Sequence, residues 1–247
     1  MRYADKFILV GDHFQLPPLV SIYASYLILN IAQLHLKVRN LDARKGGFDV
    51  SLFKRLSDAH PGAVIDLVDQ FRMNADIMLL SNKLIYSDRL KCGSQEVAHR
   101  SLVLPMKLKA DEKQSTAPWI WELLKERYDT CFGPDLSHSR NCRRKSIFVD
   151  TDAVPAKDSK LGDLIQNKGE ALLVQQFVEA LIQRGVTEEQ IGVISPYRQQ
   201  IKLLSLRLQS YKNIELLTAD RSQGREKDCI IISLVRSNDE CQVRIYI

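Results

Sequence analysis

Cysteine is scarce in this sequence and is never closely paired. The 247 residues contain five cysteines, and no two of them form a Cys-x-x-Cys pair. An odd number of widely spaced cysteines, with no secretory leader before them, fits reduced thiols in the nucleus or cytosol better than a disulfide-stabilised secreted scaffold. Cys131, His138 and Cys142 lie near one another in sequence but lack the spacing of a structural zinc site. We therefore predict no metal-binding residues.

A hydrophobic run long enough to cross a membrane is also absent. The most apolar stretch is Ser21–Lys37, in which 11 of 17 residues are apolar. A transmembrane helix needs about 20 consecutive apolar residues. This stretch is shorter and is interrupted by Asn30, Gln33 and His35. We expect no membrane partner.

Positive charge is in modest excess, and internal repeats and low-complexity tracts are missing. The net charge is +5, with 45% hydrophobic and 26% charged residues, which is typical of a globular protein. A small positive excess suits a polyanionic partner but is equally common in enzymes that never meet nucleic acid.

Hydrophobic periodicity predicts an α/β protein. Helices are expected at Ser51–Ser57, Asp76–Tyr86, Trp119–Arg127, Gly169–Arg184 and Arg198–Leu208. Strands are expected at Phe7–Val10, Ala63–Val68, Ser146–Val149, Ile191–Ile194, Ile214–Leu217 and Ile230–Val235. Strands that alternate with helices indicate a parallel sheet.

One polar cluster stands between two of these strands, at Thr218–Asp228. Gly224 permits a tight turn and close approach of the backbone to a ligand. Asp220, Gln223, Arg225 and Glu226 supply more hydrogen-bonding groups than a turn requires. Open α/β sheets bind ligands at the ends of their strands, so this cluster is a candidate site, with a charged surface loop as the alternative.

Four blocks of residues, in this order, resemble motifs III, IV, IVa and V of superfamily 1 helicases that move 5′ to 3′. They are Gly11–Pro18, Gln70–Asn74, Ser195–Gln200 and Gln223–Asp228. Within that superfamily, Ser81–Tyr86 and Cys92–Ser94 most resemble the eukaryotic DNA replication ATP-dependent helicase/nuclease. The resemblance covers nearly the whole chain, apart from Ser21–Lys37 and the last seven residues.

The resemblance implies a RecA-like, three-layer α/β fold of the P-loop NTPase class. Residues 1–60 would be the end of a first RecA-like domain, and residues 61–247 a second one that stops before motif VI. Residues 21–37 have no counterpart in the family and are interpreted as an insertion. They would be either a lineage-specific helix or an intron read as coding sequence, and we favour the second.

Roles for individual residues also follow from the resemblance. Gln15 would sense the γ-phosphate, Arg72 would contact it, and Phe71 would stack on adenine where the family usually has tyrosine. In Ser195-Pro196-Tyr197, the backbone at the start of a helix would hold a phosphate of the DNA strand, with Arg198, Gln199 and Gln200 nearby. The expected catalytic residues are Gln15, Arg72, Gln223 and Gly224; the nucleotide-binding residues are Gln70, Phe71, Arg72 and Glu226; and the nucleic-acid-binding residues are Ser195, Pro196, Tyr197, Asp220 and Arg236.

The function implied is ATP-driven unwinding of DNA in replication and repair. The cofactors would be ATP and Mg²⁺. However, the sequence holds no Gly-x-x-x-x-Gly-Lys-Ser/Thr loop, no Asp-Glu pair before motif III and no motif VI, so the fragment is expected to be inactive alone. The family's iron–sulfur cluster has no matching cysteines here.

The expected partners are single-stranded or flapped DNA and replication and repair proteins such as a single-strand-binding protein. The expected location is the nucleus, with the mitochondrion as a second location. Two alternatives stay open: an RNA helicase of transcript surveillance, which shares all four motifs, and a non-catalytic nucleic-acid-binding fragment.

Overall fold

The computed structural model describes residues 6–12, 14–15, 42, 45–47, 50–105, 119–120, 145–151, 156–162 and 164–238. The chain divides between Val68 and Asp69 into two compact units. The proposed insertion at 21–37, Trp121, and the group Cys131, His138 and Cys142 lie outside the described residues, as does the predicted helix beyond Ile120.

The first unit contains helix α1, Leu52–Ala59. Ser51 begins it, because its side chain accepts a hydrogen bond from the Lys54 N–H at 3.2 Å. The ring of Phe53 lies over Gly11, where an added Cβ would be 3.3 Å from the ring. The predicted helix is therefore confirmed, and it packs against the loop that carries the motif III residues.

Two strands predicted near the start of the chain are not formed. Phe7–Val10 has no strand assignment, and Ile8 and Val10 are about 90% exposed. Residues 61–63 form a 3₁₀ turn, and residues 64–68 have no strand partner among the described residues. A strand requires a neighbour to pair its N–H and C=O groups, and an apolar run alone does not supply one.

The second unit begins with a short parallel pair of strands around helix α2. Strand β1, Asp69–Gln70, pairs with β2, Lys91–Cys92, and α2 spans Ala75–Leu84 between them. Asn74 caps α2 by accepting the Ile77 N–H at 3.0 Å. Helix α3, Gln95–His99, follows β2. The predicted strand at Ser146–Val149 is absent, and Phe148 is 81% exposed.

The larger part of this unit is a parallel sheet covered by two helices. An antiparallel hairpin, β3 at Ser159–Leu161 and β4 at Leu164–Gln166, leads into α4 at Lys168–Gln183. Strand β5 spans Ile191–Ser195, α5 Arg198–Arg207, β6 Glu215–Thr218 and β7 Cys229–Ile232. The spatial order is β6-β5-β7, and both pairs are parallel. This confirms the predicted α/β class.

The core lies between this sheet and α4 and α5. Val174, Val178 and Leu181 of α4 and Leu204 of α5 are at most 4% exposed. They pack with Ile191 and Val193 of β5, which are fully buried. Burial of each such aliphatic side chain contributes about 1.5–3 kcal/mol. The rings of Trp119 and Phe177 form a T-shaped pair, with centroids 5.4 Å apart, consistent with the packing role predicted for Trp119.

None of the helices in the described part of the chain combines the length and apolarity that a bilayer crossing demands.

Candidate nucleotide and nucleic-acid sites

The motif III residues form a compact turn in the first unit. The carboxylate of Asp12 accepts the Phe14 N–H at 2.9 Å and the Gln15 side-chain N–H at 3.0 Å. The Gln15 backbone N–H donates to the Asp12 carbonyl at 3.3 Å. Gln15 is exposed, so its amide is held by Asp12 while it remains accessible to a ligand.

The motif IV turn is stabilised from inside by Gln70. Its side-chain oxygen accepts the N–H groups of Arg72 and Met73 at 2.9 and 2.8 Å. Its side-chain nitrogen donates to the Met73 carbonyl at 2.6 Å and lies 3.2 Å from the Cys92 sulfur. Gln70 was expected to bind nucleotide. In the structure its amide shapes the turn that presents the next two residues, and its role toward a nucleotide stays a prediction.

Phe71 and Arg72 leave this turn in an exposed conformation. The Phe71 ring is 62% exposed and lies against Gly93, where an added Cβ would be 2.2 Å from its Cζ atom. A side chain at position 93 would therefore displace this ring. Most of the ring surface remains available for stacking on a base.

Arg72 joins motif IV to motif V. Its Nε donates to a carboxylate oxygen of Glu226 at 2.6 Å, and both side chains are about 60% exposed. The two residues are 154 positions apart, yet both are expected to bind nucleotide. An exposed ion pair contributes about 0–1 kcal/mol, so a phosphate group could displace the carboxylate at little cost.

The motif V segment runs from the carboxyl end of the parallel sheet back to its amino end. It starts at the carboxyl end of β6, where the Thr218 hydroxyl donates to the Asp220 carboxylate. Gln223 and Gly224 are exposed, and Gly224 has a φ of +78°, which favours glycine. The segment ends beside the start of β5, where the Lys227 ammonium donates to the Glu189 carbonyl at 2.7 Å. A Cβ at Gly192 would be 3.0 Å from Lys227, so this glycine leaves room for the crossing segment.

The motif IVa residues lie at the carboxyl end of β5. Ser195 and Tyr197 are buried, and the Ser195 hydroxyl accepts the Tyr197 N–H at 3.4 Å. No side chain caps α5 at Tyr197. The first backbone N–H groups of a helix favour an anion. The feature this loop presents for a phosphate is therefore the helix start, with Arg198 exposed beside it.

Gln200 and the side chain of Arg236, both expected near the nucleic acid, are largely enclosed by the second unit. Gln200 is fully buried: its oxygen accepts the Asn167 N–H at 2.8 Å, and its nitrogen donates to the Asn167 carbonyl and the Ser233 hydroxyl. The Arg236 Nε lies 2.9 Å from an Asp158 carboxylate oxygen, with both side chains 8% exposed. Neither group faces solvent, because each is already bonded inside the second unit.

Glu170 is a residue that the sequence reasoning missed. Its two carboxylate oxygens accept the N–H groups of Leu234 and Val235, each at 2.7 Å. Burial raises the pKa of Glu170, and the bonds from these two N–H groups lower it in part. Asn167 three residues earlier signals a helix cap, but nothing local in the sequence indicates a partner 64 positions away.

The candidate residues thus fall into separate groups. Arg72 and Glu226 are in contact, with Phe71 on the same turn. Ser195 is the last residue of β5, and Asp220 and Arg236 come after β6 and β7, so all three lie at or just beyond the carboxyl edge of the parallel sheet. Gln15 belongs to the other unit. Within the described ranges, no three His, Cys, Asp or Glu side chains are grouped to hold a metal ion, so we assign no Mg²⁺ ligand.

Comparison with known proteins identifies the family. Residues 48–245 match the family model described as an AAA domain. The chain belongs to this AAA domain family. It is 40% identical over 97% of its length to the DNA replication ATP-dependent helicase/nuclease dna2 of Schizosaccharomyces pombe. Identity is 38% to the helicase/nuclease JHS1 of Arabidopsis thaliana and 34% to DNA2 of Homo sapiens, over 97% and 96% of the chain.

These matches confirm the resemblance derived from the four motifs. The chain spans 15% of the length of the fission-yeast and plant relatives and 20% of the human one. The AAA domain match and the parallel sheet agree with the predicted RecA-like α/β fold.

Proposed function

We propose that this chain is part of an ATP-dependent DNA helicase that acts in replication and repair, and that it binds ATP and single-stranded DNA. The observation that carries the proposal is the contact between Arg72 and Glu226. It brings the arginine of motif IV and the acid of motif V to one exposed place, beside the aromatic ring of Phe71.

In this proposal the nucleotide replaces an internal ion pair. Arg72 leaves Glu226 for the γ-phosphate, Phe71 stacks on adenine, and Glu226 accepts a hydrogen bond from the nucleotide. Gln15, which belongs to the first unit, senses the γ-phosphate, and Gln223 and Gly224 couple nucleotide binding to DNA binding. Mg²⁺ would neutralise phosphate charge, with its ligands outside these 247 residues. The chain alone would not hydrolyse ATP, because its sequence contains no phosphate-binding loop of the Walker type.

Single-stranded DNA would lie along the carboxyl edge of the parallel sheet. The uncapped start of α5, following Ser195 and Pro196, offers N–H groups to a backbone phosphate, and Asp220 lies at the same edge. The names of the relatives specify DNA replication, which supports DNA over RNA. A nuclear location and an association with a single-strand-binding protein are part of the same proposal.

The test is a chimera of the fission-yeast relative in which the aligned segment is replaced by this chain. Arg72→Ala and Gln15→Ala are expected to lower DNA-stimulated ATPase activity about 100-fold or more, since each removes a group that contacts the transferred phosphate. DNA affinity is expected to change less than about twofold, because neither residue belongs to the segments proposed to contact the DNA backbone.

Arg89→Ala, at an exposed arginine outside the motifs, is the matched control and is expected to keep full turnover. An Arg72→Ala chimera with an unchanged ATPase rate would show that the motif IV assignment is wrong.

A further inference from the structure

The backbone that follows β7 is strained. Val235 has a φ of +74°, and the Arg236 N–H donates to the Leu234 carbonyl at 2.8 Å. A positive φ with a hydrogen bond between residues i and i+2 marks the rarer, strained form of the γ-turn. A β-branched residue is a genuine outlier in this region, and it persists only when the surrounding structure holds it there.

Several groups hold this turn in place. Glu170 accepts both N–H groups, from Leu234 and Val235, while the Asn167 side chain donates to the Val235 carbonyl at 3.1 Å. The Val235 side chain is 1% exposed and packs with Ile165 and Tyr197. Just beyond the turn, Asp158 and Ser237 exchange two hydrogen bonds, at 2.8 and 3.3 Å.

The same groups reach the motif IVa loop. Gln200, on the first turn of α5, bonds to Asn167 and to Ser233, so it ties the start of α5 to the start of α4 and to the end of β7. Arg236 forms a side-chain hydrogen bond with Tyr197, the residue at which α5 begins. The strained turn and the start of α5 are therefore joined through buried groups.

We propose that Glu170 is a positioning residue for single-stranded DNA binding: by holding the turn at Val235, it places Arg236 against Tyr197 and fixes the start of α5. Glu170 does not touch the DNA. Arg236 acts in the same way, through Tyr197, rather than by contact with a phosphate. The proposal rests on the DNA-binding part of the proposed function, and its test separates the two.

The test compares the wild-type chain with Glu170→Gln. The amide keeps the size of the side chain but offers only one acceptor oxygen, so one of the two N–H groups loses its partner. The matched control is Glu179→Gln on the same helix, where the carboxylate accepts one bond, from Gln175 at 2.9 Å, and an amide oxygen can still accept it.

Two quantities are measured, hydrogen exchange of residues 195–200 and the Kd for a fluorescent single-stranded oligonucleotide. Glu170→Gln is expected to speed exchange of this loop about tenfold and to raise Kd about tenfold, whereas Glu179→Gln changes each less than twofold. Val235→Gly relieves the backbone strain but also removes the side chain that packs on Tyr197, so this variant is the reference for the double variant. Relative to Val235→Gly alone, adding Glu170→Gln is expected to raise Kd no more than about threefold. This dependence on the turn would not arise from a general loss of stability.

Further outcomes separate the positioning role of Glu170 from the DNA-binding function on which it rests. If Glu170→Gln changes neither exchange nor Kd, the positioning role is refuted. If the wild-type chain binds no DNA while exchange at 195–200 still rises in the variant, the turn fixes the loop as proposed and the DNA-binding function is wrong. Should Glu170→Gln fail to fold, Asp158→Asn loosens the same turn from its other side, and an unchanged loop in that variant would overturn the proposal.

Discussion

Replacing Gln200 with alanine tests whether this side chain supports the fold or faces the DNA. In the structure its amide makes three hydrogen bonds, two with the Asn167 backbone at 2.8 and 3.1 Å and one with the Ser233 hydroxyl at 3.0 Å. Gln200 is fully buried and Asn167 is 1% exposed, so water cannot replace the lost partner without entering the core.

The expected loss is large. A buried donor or acceptor left without a partner costs about 1–3 kcal/mol, and the cavity left by the truncated side chain adds to it. We therefore expect Gln200→Ala to lower the unfolding free energy of the second unit by about 3–5 kcal/mol. Gln199→Ala is the control: its side chain is partly exposed and donates one bond, to Gln166 at 3.2 Å, so the expected loss is below about 1 kcal/mol.

Native-state hydrogen exchange measures this directly, because the slowest amides of β5 report the opening of this unit by itself. Those amides are expected to exchange far faster in Gln200→Ala than in Gln199→Ala. Equal rates in the two variants would show that the buried network contributes little and that Gln200 is free for another role.

Three further predictions follow from single positions. Gly93→Ala displaces the Phe71 ring, since the added Cβ would lie 2.2 Å from the Phe71 Cζ atom. In the chimera this variant is expected to weaken adenine nucleotide binding about tenfold and to leave DNA affinity unchanged; an unchanged nucleotide affinity would argue against stacking on Phe71. Gly224→Ala has open space but a φ of +78°, so urea unfolding is expected to show a loss of about 1–2 kcal/mol, against almost none for Gly62→Ala, which also has open space. Burial, together with the Asp228 carboxylate, raises the pKa of Cys229 to about 11. Because the thiolate is the reactive form, iodoacetamide is expected to label Cys229 about 100-fold more slowly at pH 8 than a thiol of pKa 9.0, and the labelling rate is expected to rise up to pH 11. Rapid labelling at pH 8 would refute this.

Local patterns in the sequence predict the helices and strands that have one apolar face directed at the core. The bounds of α4, α5, β5 and β6 agree with prediction to within one or two residues, because helical and strand periodicity places Val174, Val178 and Leu204 inward. The four motif blocks also predict the family, which the comparisons confirm. The division into domains at residue 60 and the site roles remain predictions.

Long-range hydrogen bonds explain what the sequence does not show. Strand β7 stops at Ile232, before the predicted Val235, because Glu170 takes the N–H groups that a longer strand would use. Gln200 is turned inward by Asn167 and Ser233, each 33 positions away. Such distant partners cannot be predicted from neighbouring residues. The local sequence therefore does not distinguish a buried hydrogen-bond network from an exposed binding site.

The most direct test of the central claim is single-strand binding at the start of α5. The wild-type chain, Arg198→Glu and Lys202→Glu are titrated with a labelled 20-nucleotide single strand and followed by fluorescence anisotropy. Both residues are exposed on α5 and both variants reverse one charge, but only Arg198 adjoins the uncapped N–H groups. We predict that Arg198→Glu raises Kd at least tenfold and Lys202→Glu less than threefold. Equal effects of the two variants, or no binding by the wild-type chain, would contradict a phosphate site at this edge of the sheet.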